Sequence, residues 1–228
     1  MALLNQSPFE NIHTQLDRSV NPYVGMVSNS EDTGVKVLHG DSLVSIKGNW
    51  RESFRVKPEK LVLEIGCHLG STICEYAKLL PNYGFIGVDV TFKRVVTTAQ
   101  RAEKNRLKNL SVALFNAKFI SDLFAEGELD DVLVFFPDPW EKRRQRKHRL
   151  FSQGFIDDLY KVTKPGGGVW FKTDHLNYSE EVVQAFSKSL FTPGESSSMV
   201  HKYPMETTFQ RKFRLKGQSY YEHKWSNN

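Results

Sequence analysis

The hydrophobic positions from residue 61 onward change period repeatedly, from short continuous apolar runs to longer stretches with helical spacing. The apolar runs predict strands at residues 61–65, 85–90, 112–115, 131–136 and 169–172. The stretches after them predict helices at residues 71–80, 92–107, 119–125, 151–161 and 179–190, the first capped by Ser71. Such regular alternation is typical of a doubly wound, Rossmann-like α/β protein with a mostly parallel sheet.

Both ends of the chain follow other patterns. Residues 219–225 alternate polar and apolar side chains and predict a closing strand. Residues 1–60 mix turn formers with short alternating stretches at 35–38 and 42–46, which predict irregular structure and one hairpin. We therefore divide the chain into an N-terminal extension, 1–48, and one domain, 49–228. No apolar run approaches 18 residues and the start lacks a signal-peptide pattern, so we expect no membrane partner.

Polar residues and glycines stand where the predicted strands end. Glu64 and Gly66 close the first strand, Asp89 the second and Asn116 the third. Parallel strands end at one edge of the sheet, and ligands bind there where the strand order reverses, so these residues are candidates for one binding site. Plainer interpretations stay open. Gly66 could serve loop geometry alone, Asp89 could be a helix N-cap, and Asn116 could make a turn.

The character of this edge favours one class of cofactor. An acid after the second strand suits the hydroxyls of a ribose. The loop EIGCHLG at 64–70 lacks the third glycine of the dinucleotide fingerprint, and no phosphate-binding lysine motif accompanies it. S-adenosylmethionine, which contains adenosine but no phosphate, therefore fits better than NAD or ATP.

The net charge of +5 is unevenly distributed. The chain has 31 Lys and Arg residues against 26 Asp and Glu residues. Residues 142–149, KRRQRKHR, hold six of the 31 and no acid, which leaves 25 against 26 elsewhere. This basic run indicates a polyanionic partner, although an exposed, solvated face would have the same composition. It directly follows Asp138, whose backbone is restricted by a proline on either side.

Four motifs stand in a familiar order: EIGCHLG at 64–70, FFPDPWEKRRQRKHR at 135–149, TDHLNY at 173–178 and TTFQRKF at 207–213. With them, residues 49–225 resemble the tRNA (guanine-N7)-methyltransferases. The resemblance implies a class I methyltransferase fold whose last strand is antiparallel. It also implies S-adenosylmethionine as cofactor, and methylation of guanine 46 in the variable loop of tRNA.

The same resemblance implies roles for individual residues. Asp138 would be the catalytic acid. The cofactor would be bound by Glu64, Gly66, Asp89, Asn116 and Asp138. The target guanine would be bound by Lys142, Asp174, Thr207 and Gln210. The tRNA backbone would be bound by Arg144, Arg146, Lys147 and Arg149.

Two departures from the family pattern motivate other hypotheses. His68 stands where the family has the middle glycine of its loop, and Gln210 stands where it has a glutamate. A tRNA-binding protein with a degenerate cofactor site is therefore one alternative, and a related methyltransferase with another substrate is a second. The two cysteines, Cys67 and Cys74, are too few for a disulfide framework or a cysteine-based metal site and predict a reducing, cytoplasmic location. We expect no metal, and either a monomer or a homodimer.

Overall fold

The computed structural model describes residues 36–38, 43, 45–197 and 205–228. Its strands are β1 Lys36–Leu38, β2 Lys60–Ile65, β3 Tyr83–Asp89, β4 Leu110–Leu114, β5 Leu129–Phe135, β6 Thr163–Thr173, β7 Thr192–Pro193 and β8 Tyr221–Ser226. Its helices are α1 Ser71–Leu79, α2 Phe92–Lys104, α3 Ile120–Leu123, α4 Gln153–Val162, α5 Leu176–Phe186 and α6 Thr208–Leu215. Short 3₁₀ helices lie at Arg51–Ser53, Ala117–Phe119 and Arg143–His148.

In this described part of the chain, the strands form one sheet in the order β1-β4-β3-β2-β5-β6-β8-β7. Strands β1 to β6 pair in parallel, whereas β8 runs antiparallel to β6, and β7 pairs antiparallel with β8. The predicted doubly wound sheet and its antiparallel last strand are therefore confirmed. The chain leaves β2 toward β3 and β4 on one side and returns to β5 and β6 on the other, so the strand order reverses between β2 and β5.

Helices cover both faces of the sheet. On one face α1 and α2 pack on β2, β3 and β4 through a cluster that includes Ile73, Phe85 and Val95. On the other face α4 and α5 pack on β5 and β6, with the rings of Phe186 and Trp225 stacked 3.7 Å apart. Since the strands are buried on both sides, the few charged side chains within them need a specific reason to be there. No described helix is long and apolar enough to cross a membrane.

Local expectations fail in three places. Among the described residues, 36–38 do not form the expected hairpin: β1 pairs in parallel with the distant β4, and residues 45–48 form a turn, while residues 42 and 44 lie outside the described part of the chain. Gly70, in left-handed conformation, precedes α1 in place of a Ser71 cap. The predicted helix 119–125 is a 3₁₀ turn followed by the four-residue α3. Expectations for residues 1–35 lie outside the described residues, and the domain boundary at residue 49 stays a prediction.

Three consecutive glycines, residues 166–168, are part of β6. The pairing of β5 with β6 shifts between Leu129 and Asp131, where the chain bulges. A Cβ on Gly167 would lie 2.2 Å from the carbonyl oxygen of Asp130, and one on Gly168 would lie 2.5 Å from that of Trp225. Glycine is needed here because neighbouring backbone approaches closely, a tertiary cause that the local pattern does not contain.

Asp130 joins the amino-terminal ends of several elements. Its Oδ2 lies 2.5 Å from Nη2 of Arg51 and accepts the backbone N–H of Leu61 at 2.7 Å. Its Oδ1 lies 2.7 Å from Nζ of Lys164 and 3.2 Å from Nζ of Lys60. Burial alone would raise the pKa of this carboxyl, but the contacts from Lys164, Leu61 and Arg51 hold it below its ordinary value.

Candidate active site

A cleft of about 310 Å³ opens at the carboxyl ends of β2 to β5, where the strand order reverses. Four of the five residues predicted to bind the cofactor line it: Gly66, Asp89, Asn116 and Asp138. They come from four different strand ends, so only the folded sheet brings them together. The cleft is the place where the sequence predicted a site.

The loop from β2 to α1 forms one wall of this cleft. Gly66, His68 and Gly70 all have left-handed backbone, with φ of 78°, 51° and 69°. The backbone N–H of His68 lies 3.3 Å from Oδ2 of Asp89, and its carbonyl accepts the Thr98 hydroxyl at 3.1 Å. His68 occupies a conformation that glycine adopts most easily but that histidine also tolerates. The loop is therefore built with the histidine in place.

The His68 ring turns toward the rest of the cleft wall. Its centroid lies 5.9 Å from that of Phe209 in an edge-on arrangement. Partial burial lowers the pKa of His68, and the nearby guanidinium of Arg94 lowers it further. The ring is consequently neutral near pH 7, and it adds aromatic surface to the cleft without adding charge.

Asp89 is buried at the end of β3. Its Oδ1 accepts the backbone N–H of Thr91 at 2.9 Å, and its Oδ2 lies 3.6 Å from Nη1 of Arg94. Burial raises the pKa of Asp89, while the Thr91 amide and the Arg94 charge oppose the rise. The N-cap position of α2 is Thr91, so Asp89 orders the turn before that helix and does not cap it.

Asn116 follows β4 on the same side of the cleft. Its side-chain oxygen accepts the backbone N–H of Lys118 at 3.2 Å and caps the 3₁₀ turn Ala117–Phe119. The interpretation of Asn116 as a turn former is therefore confirmed. The residue nevertheless lines the cleft, and its contact with Lys118 fixes the orientation of its amide group.

Glu64 lies behind the loop, away from the cleft surface. Its side chain is buried, and burial raises its pKa to about 8. The backbone N–H of Ile73, in the first turn of α1, bonds the carboxyl and opposes the rise. Among the described residues, Oε2 of Glu64 has no hydrogen-bond partner. This arrangement favours a role in holding the loop against α1.

The pH dependence of stability tests the Glu64 environment. Because the folded-state pKa lies above the ordinary 4.5, the proton stabilises the folded chain below about pH 4.5, and this stability is lost as pH rises toward 8. In the wild type we expect the free energy of unfolding to fall by up to about 1.4 kcal/mol per pH unit across that window because of Glu64. In Glu64→Gln this contribution to the fall should be absent. Urea unfolding at several pH values measures it. Glu75→Gln, on the exposed face of α1, is the control, and parallel profiles for Glu64→Gln and wild type would contradict the assignment.

The turn after β5 forms the opposite wall. Phe136 and Trp140 have φ of 54° and 45°, and with His68 they make three left-handed non-glycine residues that all line the cleft. Such conformations are costly and concentrate at functional sites. The Trp140 ring packs 5.4 Å from that of His148, so it has a local packing partner as well as a cleft position. Asp138 lies between Phe136 and Trp140 on the chain, with its side chain exposed at the rim of the cleft.

Helix α6 closes the cleft with an aromatic side chain that the motif analysis did not single out. Phe209 packs 5.7 Å from Phe136 as well as against His68. The helix begins with a capping box: the backbone N–H of Gln210 donates to Oγ1 of Thr207 at 3.1 Å, and that of Thr207 donates to Oε1 of Gln210 at 2.9 Å. Thr207 and Gln210 are therefore buried and engaged in positioning Phe209, and neither lines the cleft.

Lys172 is the functional-site neighbour that sequence analysis missed. This side chain is only 1% exposed, and its Nζ lies 3.2 Å from Oε1 of Gln210 and 4.3 Å from the Trp170 ring centroid. Burial lowers the pKa of Lys172 to about 8, against the opposing charge of Glu222. The available signal was a lysine inside the apolar run of a buried strand. The uncharged amide oxygen of Gln210 therefore accepts a hydrogen bond from the Lys172 side chain.

The other predicted contacts lie outside the cleft lining. Asp174 is exposed just beyond β6, and Lys142 is exposed at the start of the basic run. Arg144, Arg146 and Lys147 are exposed on the 3₁₀ helix Arg143–His148. Arg146 also has its Nη1 3.5 Å from Oε1 of Glu181. All of these cations are exposed beside the cleft, where a large partner can reach them.

Arg149 differs from the other residues of the predicted RNA-binding set. Its side chain is buried, its Nε donates to the carbonyl of Pro139 at 2.6 Å, and its guanidinium bonds the carboxylate of Glu181. The guanidinium also lies 4.8 Å from the ring centroid of Tyr178. Because these contacts engage its buried guanidinium, Arg149 anchors the turn after β5 to α5. Its predicted contact with RNA stays a prediction.

Two substitutions separate the roles within the basic run. We expect Arg149→Ala to lower the free energy of unfolding by about 2 kcal/mol, because it removes the partner of the half-exposed Glu181 and the support of Pro139. Arg146→Ala should change stability by less than about 0.5 kcal/mol and weaken tRNA binding instead. Urea unfolding and filter binding measure the two effects. Equal stability of the two variants would refute the anchoring role.

Comparison with known proteins places the chain in a family. Residues 58–223 match the sequence family described as "Putative methyltransferase". The tRNA (guanine-N(7)-)-methyltransferase of Geobacillus sp. (strain WCH70) is 33% identical, over 77% of this chain and 81% of the relative. That of Bdellovibrio bacteriovorus is 32% identical, over 75% of this chain and 85% of the relative. The aminoglycoside resistance methyltransferase NpmB1 has a similar fold, with a TM-score of 0.52 at 16% identity over 74% of this chain and 87% of its own. The chain belongs to the tRNA (guanine-N7)-methyltransferase family.

Proposed function

We propose that this protein transfers a methyl group from S-adenosylmethionine to N7 of guanine 46 in the variable loop of tRNA. One juxtaposition carries the proposal: the cleft at the strand ends is bordered by Asp138, and the exposed cations of the basic run follow it directly. A binding site for a small adenosine-containing molecule thus lies beside a surface suited to phosphates.

The residues of the cleft fit the proposed cofactor. The Asp89 carboxylate suits the two ribose hydroxyls, and the Asn116 amide suits the edge of adenine. A Cβ placed on Gly66 would meet nothing within 4 Å, so there is open space in which a ligand can approach the loop backbone. When bound, S-adenosylmethionine supplies a methyl group that is activated by its sulfonium.

The proposed chemistry asks the protein chiefly for orientation. Guanine N7 carries no proton, so its lone pair can form the new C–N bond, as the S–C bond breaks, without a general base. Holding the reacting atoms in line can supply about 7–11 kcal/mol of the barrier reduction. Asp138 and Asp174 would accept the N1–H and N2–H donors of the guanine and stabilise the positive charge that the base acquires.

The remaining assignments concern the large substrate. Lys142, Arg144, Arg146 and Lys147 would bind tRNA phosphates, with affinity that falls as salt increases. Two free, buried thiols, Cys67 and Cys74, support action in the reducing cytoplasm. We propose that the protein acts there on tRNA, as a monomer or homodimer.

Methylation of matched tRNA transcripts tests the proposal. One transcript carries guanine at position 46 and the other adenine. After incubation with protein and S-adenosylmethionine, nuclease digestion and mass spectrometry should detect 7-methylguanosine only from the first. Methylation at another atom or position would favour a different substrate. Binding of tRNA without binding of S-adenosylmethionine, measured by calorimetry, would favour a degenerate cofactor site.

A further inference from the structure

We infer that helix α2 and the turn after it form a second RNA-binding surface, separate from the basic run. We call it the α2 track and define it by Arg94, Arg101, Lys104, Arg106 and Lys108. It runs from the cleft at the carboxyl ends of β2 to β5, which we call the cofactor cleft, to a second cleft at the amino-terminal edge of the sheet. The inference rests on the proposed tRNA substrate and extends it to a surface that no sequence motif marks.

The segment 92–108 is strongly basic by itself. It holds six Lys and Arg residues and a single acid, Glu103, which makes its local net charge as large as that of the whole chain. Helix α2 buries its apolar side chains, among them Val95 and Ala99, against the sheet. Arg101 and Lys104 are exposed on the outer face, three residues apart and therefore adjacent on the helix surface.

The cations of the outer half of the track are available to a partner. Within the described residues, no ion pair engages Arg101, Lys104, Arg106 or Lys108, and all four are exposed. Elsewhere on this face Lys78 is paired with Glu75 at 2.8 Å. An unneutralised row of exposed cations repels itself, and phosphates remove that repulsion by binding along it.

The track joins two clefts. At its start Arg94 lines the cofactor cleft, beside Asp89. At its end Arg106 and Lys108 line the second cleft. Helix α2 has 13 residues, so at 1.5 Å per residue the two ends lie about 20 Å apart. That length corresponds to roughly six phosphates along one strand of a duplex.

The second cleft has the composition of a nucleotide-binding surface. Its volume is about 590 Å³, and its lining combines apolar side chains with a cationic rim. Pro58 and Leu107 are buried at its base, while Arg55 and Arg106 are exposed at its rim. Arg106 has a left-handed backbone, with φ of 54°, in the turn that leads out of α2. A base can pack on such a floor while its phosphate meets the rim.

The position of the cofactor cleft explains why an RNA would reach both basic surfaces. A nucleotide inserted into the cleft belongs to a continuous strand, so backbone must leave the cleft on both sides. On one side lie Asp138 and the basic run, and on the other side lie Arg94 and the α2 track. A polymer held on both sides presents one nucleotide to the reacting centre with less freedom than a polymer held on one side.

Charge-neutral substitutions on α2 test the inference. In Arg101→Gln/Lys104→Gln, glutamine preserves helix propensity at exposed positions. We expect the Kd for tRNA to rise about tenfold and the slope of log Kd against log salt to fall by about 1.4–1.8. The matched control, Lys161→Gln/Lys188→Gln, removes two exposed cations near α4 and α5 on the opposite face of the sheet. It should change the Kd less than twofold and leave kcat at saturating tRNA unchanged.

Three outcomes of this comparison test whether the α2 track binds RNA. Equal effects of the α2 variant and its control on tRNA affinity would overturn the inference. Unchanged tRNA affinity together with reduced binding to phosphatidylserine vesicles would overturn it in favour of a membrane surface. Weaker tRNA binding by the α2 variant alone would support it. A failure of the wild-type protein to methylate tRNA would count against the proposed function. The comparison of tRNA affinities would still test RNA binding by the α2 track.

Discussion

Replacing Asp138 by alanine is expected to reduce the methylation rate by about 100- to 1,000-fold while leaving tRNA affinity within a few-fold of wild type. The carboxylate stands at the rim of the cleft between Pro137 and Pro139, which restrict the backbone on either side. A fixed acceptor loses little entropy when it binds the guanine donors. It also stabilises the positive charge that develops only as the base is methylated, so the loss falls mainly on kcat.

Single-turnover methylation at saturating tRNA, together with filter binding, measures the two effects separately. Asp138→Asn should be intermediate, because its amide oxygen still accepts a hydrogen bond but carries no charge. Asp157→Ala, an exposed acid on α4, is the control and should leave both quantities unchanged. A methylation rate for Asp138→Ala within threefold of wild type would remove Asp138 from the mechanism.

Replacing Asp130 by alanine is expected to lower the free energy of unfolding by about 3 kcal/mol. The buried carboxylate balances three cations and accepts a backbone N–H at the amino-terminal end of β2, so its loss removes an acceptor that all of them share. The cations are themselves partly exposed and can regain water, which keeps the cost at the lower end for a broken buried pair.

Urea unfolding near pH 7 measures this loss. Glu52→Ala, which breaks the exposed pair with Lys57, is the control and should leave the free energy of unfolding nearly unchanged. Because the folded-state pKa of Asp130 is depressed, its contribution is fully present above the ordinary value of 3.8 and is lost as pH falls through the folded-state pKa. The difference between wild type and Asp130→Ala should therefore shrink in acid. A difference below 1 kcal/mol at pH 7 would contradict the network.

Several features of the fold and site were predictable because they depend on short-range patterns. Alternating apolar runs and helical stretches identified the five parallel strands β2 to β6 and most of the helices around them. The convergence of parallel strand ends brought Gly66, Asp89, Asn116 and Asp138 to one edge, as expected. The PDPW motif with its basic run led to the family, which the comparisons confirm.

Other features required the tertiary structure. Burial separates Arg149 from Arg146, although both belong to the same octapeptide, because the chain folds Arg149 onto Glu181 and Tyr178. The role of Gln210 changes once its partners are known. Lys172 and Thr207 both donate to the side-chain oxygen of Gln210, which the motif assigned to the substrate. Lys172 lies 38 residues from Gln210, so no local pattern could have indicated that contact. The bond to Thr207 is local, because T-x-x-Q is the capping-box pattern of a helix start.

Hydrophobic period and motif order are properties of neighbouring residues, so they were sufficient to predict the fold class, the family and the edge of the sheet that carries the site. Which charges are exposed and which are structural became clear from the folded chain. It buries Asp130, Arg149 and Lys172 against partners far along the chain and leaves Arg101 and Lys104 of α2 exposed. Burial and pairing depend on contacts between distant segments, so they exist only after the chain has folded.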